Sequence, residues 1–344
     1  MGPLPDYGQL LVDWYRQHGR DLPWRRTRDP YALWAAEVVL QQTRVDQGWA
    51  YYERFLRAFP DVYRLAAASE AQVLKVWEGL GYYSRARNLH RAARIVVETY
   101  NGHLPADVQA LIRLPGIGPY SARAIASFAY GLPCAVLDGN VYRVLSRVLD
   151  DPTPINSSRS RTHYQQRADA WLARNLSAPF NHAIMDLGAT ICTPRNPACT
   201  RCPLADHCAA YRNGTIAQRP VRERRNTVRT LWMEYHWIEH PDGRFYIRQR
   251  DESSFWKNLW ELPRTDLPDF DHHPPEGYEF CQIIHLLSHR ELRLRLVACP
   301  YETFEPGPND RLIHRADMSE FTFPKAIRNL LDAFDQCRPT PRLF

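Results

Sequence analysis

The chain has 344 residues, of which 44% are hydrophobic and 24% are charged, so it is long enough for two globular domains. Its formal net charge of +6 is unevenly divided: residues 1–228 carry 29 Lys and Arg against 19 Asp and Glu, and residues 229–344 carry 15 against 19. No apolar run reaches the length of a membrane span and no signal-peptide pattern is present, which excludes membrane and secreted classes and predicts a cytoplasmic protein.

The first part of the chain has helical periodicity. Apolar residues recur at spacings of three and four between Tyr7 and Tyr211, for example Leu33, Trp34, Val38 and Leu40. We predict an all-α domain over residues 1–211, with about ten short helices. Its excess of positive charge fits a polyanionic partner.

Residues 114–120, Leu-Pro-Gly-Ile-Gly-Pro-Tyr, separate two helical patterns, roughly Asp107 to Arg113 and Pro119 to Tyr130. Gly116 and Gly118 allow a tight hairpin whose backbone N–H groups face outward at a helix start, where a phosphate binds. The third glycine of a dinucleotide loop is missing, because position 121 is serine. By itself, the motif is equally consistent with binding of the DNA backbone and with a plain turn between two helices.

Two carboxylates stand out in this domain. Asp138 begins the helix that follows the hairpin segment, where the helix dipole favours an anion. Glu37 lies in a helical stretch among Val38, Val39 and Leu40, and burial there would raise its pKa. The alternative for Glu37 is a solvated helix face.

Four cysteines lie within seventeen residues, at Cys192, Cys199, Cys202 and Cys208. A structural zinc site usually has two short C-x2-C pairs, and only one pair here has that spacing. A single loop with three unequal gaps favours a [4Fe-4S] cluster bound by four thiolates. Zinc and four buried free thiols are the alternatives.

The pattern changes after the first domain. Residues 212–228 are polar and arginine-rich and predict a linker, and residues 229–344 predict an α+β domain. There, 230–238 and 244–248, separated by Pro241-Asp242-Gly243, predict a β-hairpin. Leu292–Val297 alternates as a strand does, and Phe323–Cys337 predicts a final helix.

These motifs together resemble a known family. The span from Leu22 to Cys208 resembles the helix-hairpin-helix DNA glycosylases, and within them the adenine DNA glycosylases of MutY type. The second domain resembles the Nudix-like module of that family. The matching segments are 20–25 (RDLPWR), 37–43 (EVVLQQT), 77–84 (WEGLGYYS), 114–118 (LPGIG), 137–141 (LDGNV) and the cysteine loop 192–208.

The resemblance implies a monomeric enzyme of the bacterial nucleoid that acts on double-stranded DNA in base excision repair. Such an enzyme removes adenine mispaired with 8-oxoguanine, and also adenine opposite guanine. Glu37 resembles the general acid that protonates adenine, and Asp138 resembles the carboxylate that stabilises the sugar cation. Bifunctional relatives have a lysine where this chain has Tyr120, and Lys75 is the only lysine in residues 1–228. We therefore predict a monofunctional glycosylase that leaves an abasic site.

The resemblance also implies the DNA contacts. Trp24, Arg25 and Asn140 line the adenine pocket, and Tyr82, on a loop with Leu80, wedges into the duplex. In the second domain the triplet Leu287-Ser288-His289 is similar to one that reads 8-oxoguanine, although the family commonly has an aromatic residue at position 287. The remaining implied contacts are Gln42 and Thr43 on the lesion strand and His182 near the adenine pocket, where the family more often has Gln or Glu.

Two alternatives remain open at this stage. One is a glycosylase for thymine or uracil opposite guanine, since such relatives also carry tyrosine at the hairpin end. The other is a non-catalytic iron–sulfur protein that only binds DNA, although such a protein would need neither Glu37 nor Asp138. No Nudix hydrolase box is found in the second domain, so nucleotide diphosphate hydrolysis is not expected.

Overall fold

A computed structural model of the chain describes residues 6–41, 45–172, 176–223, 229–251, 255–271, 273–274, 278–287 and 290–337, with the backbone alone at 45–47. The chain forms two compact units. The first comprises Met1–Ala68 and Asn88–Arg225, and the second comprises Ser69–Arg87 and Asn226–Phe344. The sequence placed Ser69–Arg87 in the helical domain, whereas in the structure this segment groups with the second unit, to which its side chains are hydrogen-bonded.

The chain up to residue 212 is helical in the part that the structure describes. Its α-helices are α1 (Tyr7–His18), α2 (Pro30–Val39), α3 (Val45–Ala58), α4 (Val62–Ala67), α5 (Glu70–Trp77), α6 (Ser84–Tyr100), α7 (Val108–Ile112), α8 (Pro119–Tyr130), α9 (Gly139–Val148), α10 (Ser160–Trp171), α11 (Ser177–Thr190) and α12 (Ala209–Arg212). Several begin at a side chain that accepts a hydrogen bond from a first-turn N–H group, as its N-cap. These caps are Asp6, Asp29, Asp61, Ser69, Asp107 and Asp138.

The core of the first unit is built around α9 and α11. Val141, Val144 and Leu145 of α9 are fully buried, as are Ile184 and Leu187 of α11. Helix α1 packs against α11, and α2 packs against α8. This packing brings the start of α8 and the start of α9, which carry the hairpin and Asp138, close to α2 and its Glu37.

In the residues that the structure describes, the second unit contains two sheets and a C-terminal helix. The strands are β1 (Arg229–Ile238), β2 (Phe245–Gln249), β3 (Trp260–Glu261), β4 (Arg264–Leu267), β5 (Phe280–Leu286), β6 (Arg290–Cys299) and β7 (Asp310–Ile313), followed by α13 (Lys325–Cys337). One sheet has the order β4-β1-β6-β5, with β1 parallel to β6, and the other has the order β3-β2-β7. The predicted strand at 292–297 and the predicted final helix are confirmed.

The predicted hairpin of β1 and β2 is wrong. The chain does turn after His240, but the two strands share only the single bridge between Glu239 and Phe245. A strand has two hydrogen-bonding edges, and those of β1 are taken by β4 and β6. Strand β2 therefore pairs elsewhere, with β3 and β7.

Helix α13 covers one face of the larger sheet. Its buried side chains Leu330 and Phe334 pack with Tyr235 of β1 and Leu294 of β6. Among the residues described, no helix has the length and apolarity needed to cross a membrane.

Candidate active site

Glu37 lies in the most buried helix of the first unit. Asp29 caps α2 by accepting a hydrogen bond from the N–H of Tyr31 at 3.0 Å. From Tyr31 to Val39 every residue except Glu37 is buried, and Glu37 is partly buried. This burial raises the pKa of Glu37 to about 7. A carboxyl with that pKa still holds a proton in a large fraction of molecules near neutral pH.

Three side chains act on the Glu37 carboxyl. The Tyr120 hydroxyl donates a hydrogen bond to it and lowers its pKa, the nearby Asp138 carboxylate raises it, and the Arg25 guanidinium lowers it. Burial, then the charge of Glu37, raises the pKa of Tyr120 well above its ordinary value, so the phenol stays a donor. The structure thus brings together four residues that the sequence singled out.

The hairpin presents Tyr120 at the first turn of α8. Gly116 has a φ of +79°, and a Cβ there would lie 2.7 Å from the Cβ of Asn88, so only glycine fits. Gly118 is the N-cap of α8 and Pro119 is its first residue, which leaves the first-turn N–H groups without intrahelical acceptors. The geometry suits an anion at this helix start.

Asp138 is the N-cap of α9. Its Oδ1 accepts hydrogen bonds from the N–H groups of Asn140 and Val141 at 2.9 and 2.8 Å, and its Oδ2 accepts from Asn140 Nδ2 at 2.9 Å. The sequence predicted that the helix start would favour the anion, and these three bonds do lower its pKa. Burial outweighs them, so the pKa of Asp138 is raised overall.

Arg143, which was not among the residues predicted from the sequence, connects Asp138 to the cysteine loop. Its Nη2 donates to Asn140 Oδ1 at 2.8 Å and to the carbonyl of Gly188 at 2.6 Å, and its Nε donates to the carbonyl of Cys192 at 2.7 Å. Only glycine fits at 188, since a Cβ would lie 2.6 Å from the Cβ of Asn140. The sequence feature that could have indicated this role is an arginine on the apolar face of α9, one turn after Asn140.

A second missed residue, Asp186, fixes Arg25. The Arg25 guanidinium makes two 2.8 Å hydrogen bonds to the fully buried Asp186 carboxylate, which also accepts from Arg20. Burial acts to raise the pKa of Asp186, but the hydrogen bonds from Arg25 and Arg20 lower it overall. His182, one turn earlier on α11, stacks on Phe128 with ring centroids 4.3 Å apart. Burial, followed by the charge of Arg25, lowers the pKa of His182 to about 3, so its ring is neutral.

The four cysteines of the loop at 192–208 face one apolar cavity. The described part of the chain has no three Cys, His, Asp or Glu side chains close enough together to hold a single metal ion. Four cysteine thiols around one apolar cavity are the ligand set that binds a [4Fe-4S] cluster. Buried Arg147 supports the loop, donating to Cys192 Sγ at 3.4 Å and to the Thr193 carbonyl at 2.7 Å. The cavity is lined by Cys192, Cys199, Cys202 and Cys208 together with Val144, Val148, Leu187, Ile191, Pro197 and Ile216.

Tyr82 and Leu80 belong to the second unit. Tyr82 is 44% exposed and has a φ of +47°, a backbone conformation that costs a bulky residue energy. The Arg85 guanidinium lies 5.5 Å from the centre of its ring. Both residues border a cavity of about 460 Å³ within this unit. Its described lining has no carboxylate and includes Phe255, Trp256, Arg87, His285, Leu287, Arg290 and Lys325.

Comparison with known proteins identifies the family. Residues 35–165 match the HhH-GPD superfamily of base excision DNA repair proteins, residues 192–208 match the iron-sulfur binding domain of endonuclease III, and residues 234–333 match the NUDIX domain. The adenine DNA glycosylase of Mus musculus is 43% identical over 370 aligned residues, covering 86% of this chain and 72% of that protein. The adenine DNA glycosylase of Buchnera aphidicola subsp. Schizaphis graminum is 32% identical over 261 residues, covering 76% of this chain and 75% of that protein. The chain belongs to the adenine DNA glycosylase family.

Two solved structures share the fold. A thermostable thymine-DNA glycosylase has a TM-score of 0.56 at 27% identity, covering 60% of this chain and 95% of its own. Endonuclease III in a complex with DNA has a TM-score of 0.53 at 21% identity and shows the shared fold. The predicted fold class, an all-α helix-hairpin-helix domain with a [4Fe-4S] loop followed by an α+β Nudix-like domain, is confirmed. This family member is a DNA repair hydrolase that cleaves N-glycosidic bonds, and the [4Fe-4S] cluster is its cofactor.

The roles of several predicted site residues stay predictions. The Trp24 ring lies against Trp49, with centroids 5.9 Å apart, and its place in a base pocket stays a prediction. Gln42, Thr43, Ser288 and His289 lie outside the described residues, so their roles stay predictions as well.

Proposed function

We propose that this chain excises adenine paired with 8-oxoguanine, and adenine paired with guanine, and leaves an abasic site. The proposal rests on the environment of Glu37. Its carboxyl has a pKa of about 7, accepts a hydrogen bond from Tyr120 and lies close to a second carboxyl, that of Asp138. When two carboxyl groups of one site lie in different environments, one can donate a proton while the other acts as an anion.

The chemistry follows from that division. Protonated Glu37 transfers its proton to a ring nitrogen of adenine, the C1′–N9 bond breaks, and its electron pair leaves with the neutral base. The deoxyribose ring is left as a cation, which the Asp138 carboxylate stabilises. Water then adds to C1′ and gives up a proton to a carboxylate of the site. The [4Fe-4S] cluster, when bound by its four cysteines, supplies iron–thiolate bonds that tie the loop at 192–208.

The proposed reaction is monofunctional because the hairpin ends in a tyrosine rather than a lysine. Tyr120 occupies the position where bifunctional relatives carry lysine, and its raised pKa keeps it a neutral phenol. Lys75 is the only lysine in residues 1–228, and it lies on α5 in the second unit. A Schiff base with the sugar is therefore not expected.

Adenine selection is proposed to involve Arg25, His182 and Asn140. The neutral His182 ring can donate from one nitrogen and accept at the other, which matches the edge of a purine. Arg25 cannot swing freely, because both of its terminal nitrogens are held by Asp186. A rigid pocket of this kind discriminates by shape and by hydrogen bonds.

Lesion selection is proposed to involve the second unit. The cavity beside Tyr82 combines aromatic walls, Phe255 and Trp256, with the cations Arg290 and Lys325. Aromatic faces stack on a base and cations attract its phosphate, so this lining suits a nucleotide. We assign 8-oxoguanine to this cavity, and the role of Ser288 and His289 in reading the lesion stays a prediction from the sequence. The enzyme is proposed to act as a monomer, because each chain carries both carboxyls and the cavity; its location in the bacterial nucleoid stays a prediction from the family resemblance.

Single-turnover excision on four matched duplexes tests the proposal. We expect adenine release from A:8-oxoguanine and more slowly from A:G, no release from A:T, and an abasic strand that stays intact until treated with base. Release of thymine from a T:G duplex with adenine spared would favour the mismatch-glycosylase alternative. A protein with a full cluster that binds DNA but releases no base would favour the binding-only alternative.

A further inference from the structure

The loop that carries Tyr82 is anchored at both ends to one short stretch of the second unit. Before the loop, the Glu78 carboxylate accepts a hydrogen bond from the N–H of Phe323 at 3.3 Å. After the loop, the Tyr83 hydroxyl donates to the carbonyl of the same Phe323 at 3.4 Å. Phe323 is fully buried, so its backbone is a fixed point for both ends of residues 79–82.

Glu78 is the centre of this anchor. Its Oε1 also accepts from Arg328 of α13, through Nε at 2.9 Å and through Nη2, and its Oε2 accepts from Lys75 Nζ at 2.8 Å. Lys75 Nζ donates in addition to the Phe321 carbonyl at 3.3 Å. A residue that served only to end α5 would need no partners 245 and 250 positions away in sequence.

The loop between the anchors is held in an unfavourable conformation. Gly79, Gly81 and Tyr82 have φ values of +94°, +71° and +47°, and of the three only Tyr82 has a side chain to strain. Inside the loop, Trp77 Nε1 donates to the Gly81 carbonyl at 3.0 Å. A strained turn persists only where the surrounding contacts determine it, so releasing one end should let Tyr82 relax.

We propose that Glu78 is a positioning residue for Tyr82. Through Arg328 and the Phe323 amide it fixes the position of Tyr82 at the border of this cavity before DNA binds. This inference rests on the proposed function for the meaning of Tyr82, but the anchor itself exists without DNA. Glu78 touches no reacting atom, and its effect passes entirely through the loop.

Two measurements on the full-length holoprotein test the proposal. The first is amide hydrogen exchange of residues 79–83 without DNA in Glu78→Ala, for which we expect exchange to be faster by on the order of tenfold. The second is single-turnover excision with the same variant. We expect the preference for A:8-oxoguanine over A:G to fall by roughly five- to tenfold, with the rate on saturating A:G within about twofold of the parent.

Matched variants separate positioning from general damage. Glu98→Ala removes an exposed carboxylate from α6 and should leave both measurements at parent values. Arg328→Ala removes one of the donors through which Glu78 acts and should reproduce part of the loss of preference. Glu78→Gln, which keeps an acceptor for the Phe323 N–H, should fall between the parent and Glu78→Ala and serves if Glu78→Ala folds poorly.

The outcomes are distinguishable from a failure of the proposed function. Unchanged exchange at 79–83 in Glu78→Ala overturns the anchor, and so does an equal loss of rate on A:8-oxoguanine and A:G. If the parent itself shows no preference for A:8-oxoguanine, the proposed lesion role fails, and the exchange measurement alone decides whether Glu78 holds the loop.

Discussion

The Tyr120 hydroxyl donates a hydrogen bond to the Glu37 carboxylate, and this bond opposes the effect of burial on the acid. Burial raises the pKa of Glu37 to about 7, and the phenol keeps it from rising further. Tyr120 therefore helps to set the pH range over which Glu37 stays protonated. In this position a lysine would supply a nucleophile, whereas tyrosine tunes the neighbouring acid.

Tyr120→Phe should shift the alkaline limb of the pH–rate profile upward. Glu37 must be protonated to act, so the single-turnover rate falls as pH rises through its pKa of about 7. Removing the hydrogen bond that lowers this pKa should move that limb up by about one pH unit, since a bond to a charged group is worth roughly 1.5 kcal/mol. The control is Tyr142→Phe, in a tyrosine of α9 outside this hydrogen bond. A limb that stays in place would show that Glu37 is not the titrating acid.

Glu37→Gln should abolish most of the activity and yet stabilise the fold at alkaline pH. Loss of a general acid lowers rates by about 10²- to 10⁴-fold. The folded pKa of about 7 exceeds the ordinary 4.5, so the native state binds the extra proton between these values and parent stability falls as pH rises through this window. Above pH 7 the variant should be more stable than the parent by about 1–3 kcal/mol. The measurement is the thermal unfolding midpoint of the parent and of Glu37→Gln at pH 8 and at pH 4.5. An equal difference between the two proteins at both pH values would contradict the prediction.

Asp138→Asn should be inactive but folded. The asparagine Oδ1 can still accept from the N–H groups of Asn140 and Val141, so the cap of α9 is kept. Without the anion, stabilisation of the sugar cation is lost, at a cost of about 10²- to 10³-fold in rate. In the parent, the raised pKa of Asp138 should put the acid limb above the pH expected for an ordinary aspartate. A parent rate in Asp138→Asn would remove this residue from the mechanism.

His182→Gln should leave the shape of the pH–rate profile unchanged. Burial and the nearby Arg25 lower the pKa of His182 to about 3, so the imidazole stays neutral over the working range and contributes no limb near pH 6. The rate and the preference for adenine can change, because hydrogen bonds to the base change. Disappearance of a limb between pH 5 and 7 in the variant would mean that His182 titrates in the functioning enzyme.

Local patterns predicted much of the first unit. Helix α8 begins at Pro119 and ends at Tyr130, as the apolar spacing and the hairpin glycines indicate, because caps and turns are specified within a few residues. The cluster-binding loop Cys192–Cys208 could also be predicted from the sequence, since all four ligands lie in one short segment. The burial that raises the pKa of Glu37 also followed from its apolar neighbours within α2.

Relationships between distant segments could not be predicted in this way. Asp186 fixes Arg25 from a position 161 residues away, and no local spacing connects them. Ser69–Arg87 groups with the second unit, and Glu78 in this segment is hydrogen-bonded to Arg328, 250 residues away. The β1–β2 hairpin failed for the same reason, because strands distant in sequence occupy both edges of β1.

The division of work between Glu37 and Asp138 is tested most directly with a base that needs no protonation. N7-methylated adenine already carries the positive charge that Glu37 would supply, so it can leave without an acid. After subtraction of spontaneous loss, single-turnover release of this base by Glu37→Gln should match the parent, while Asp138→Asn stays slow. If Glu37→Gln is as impaired on the methylated base as on adenine, Glu37 is not the proton donor and the account is contradicted.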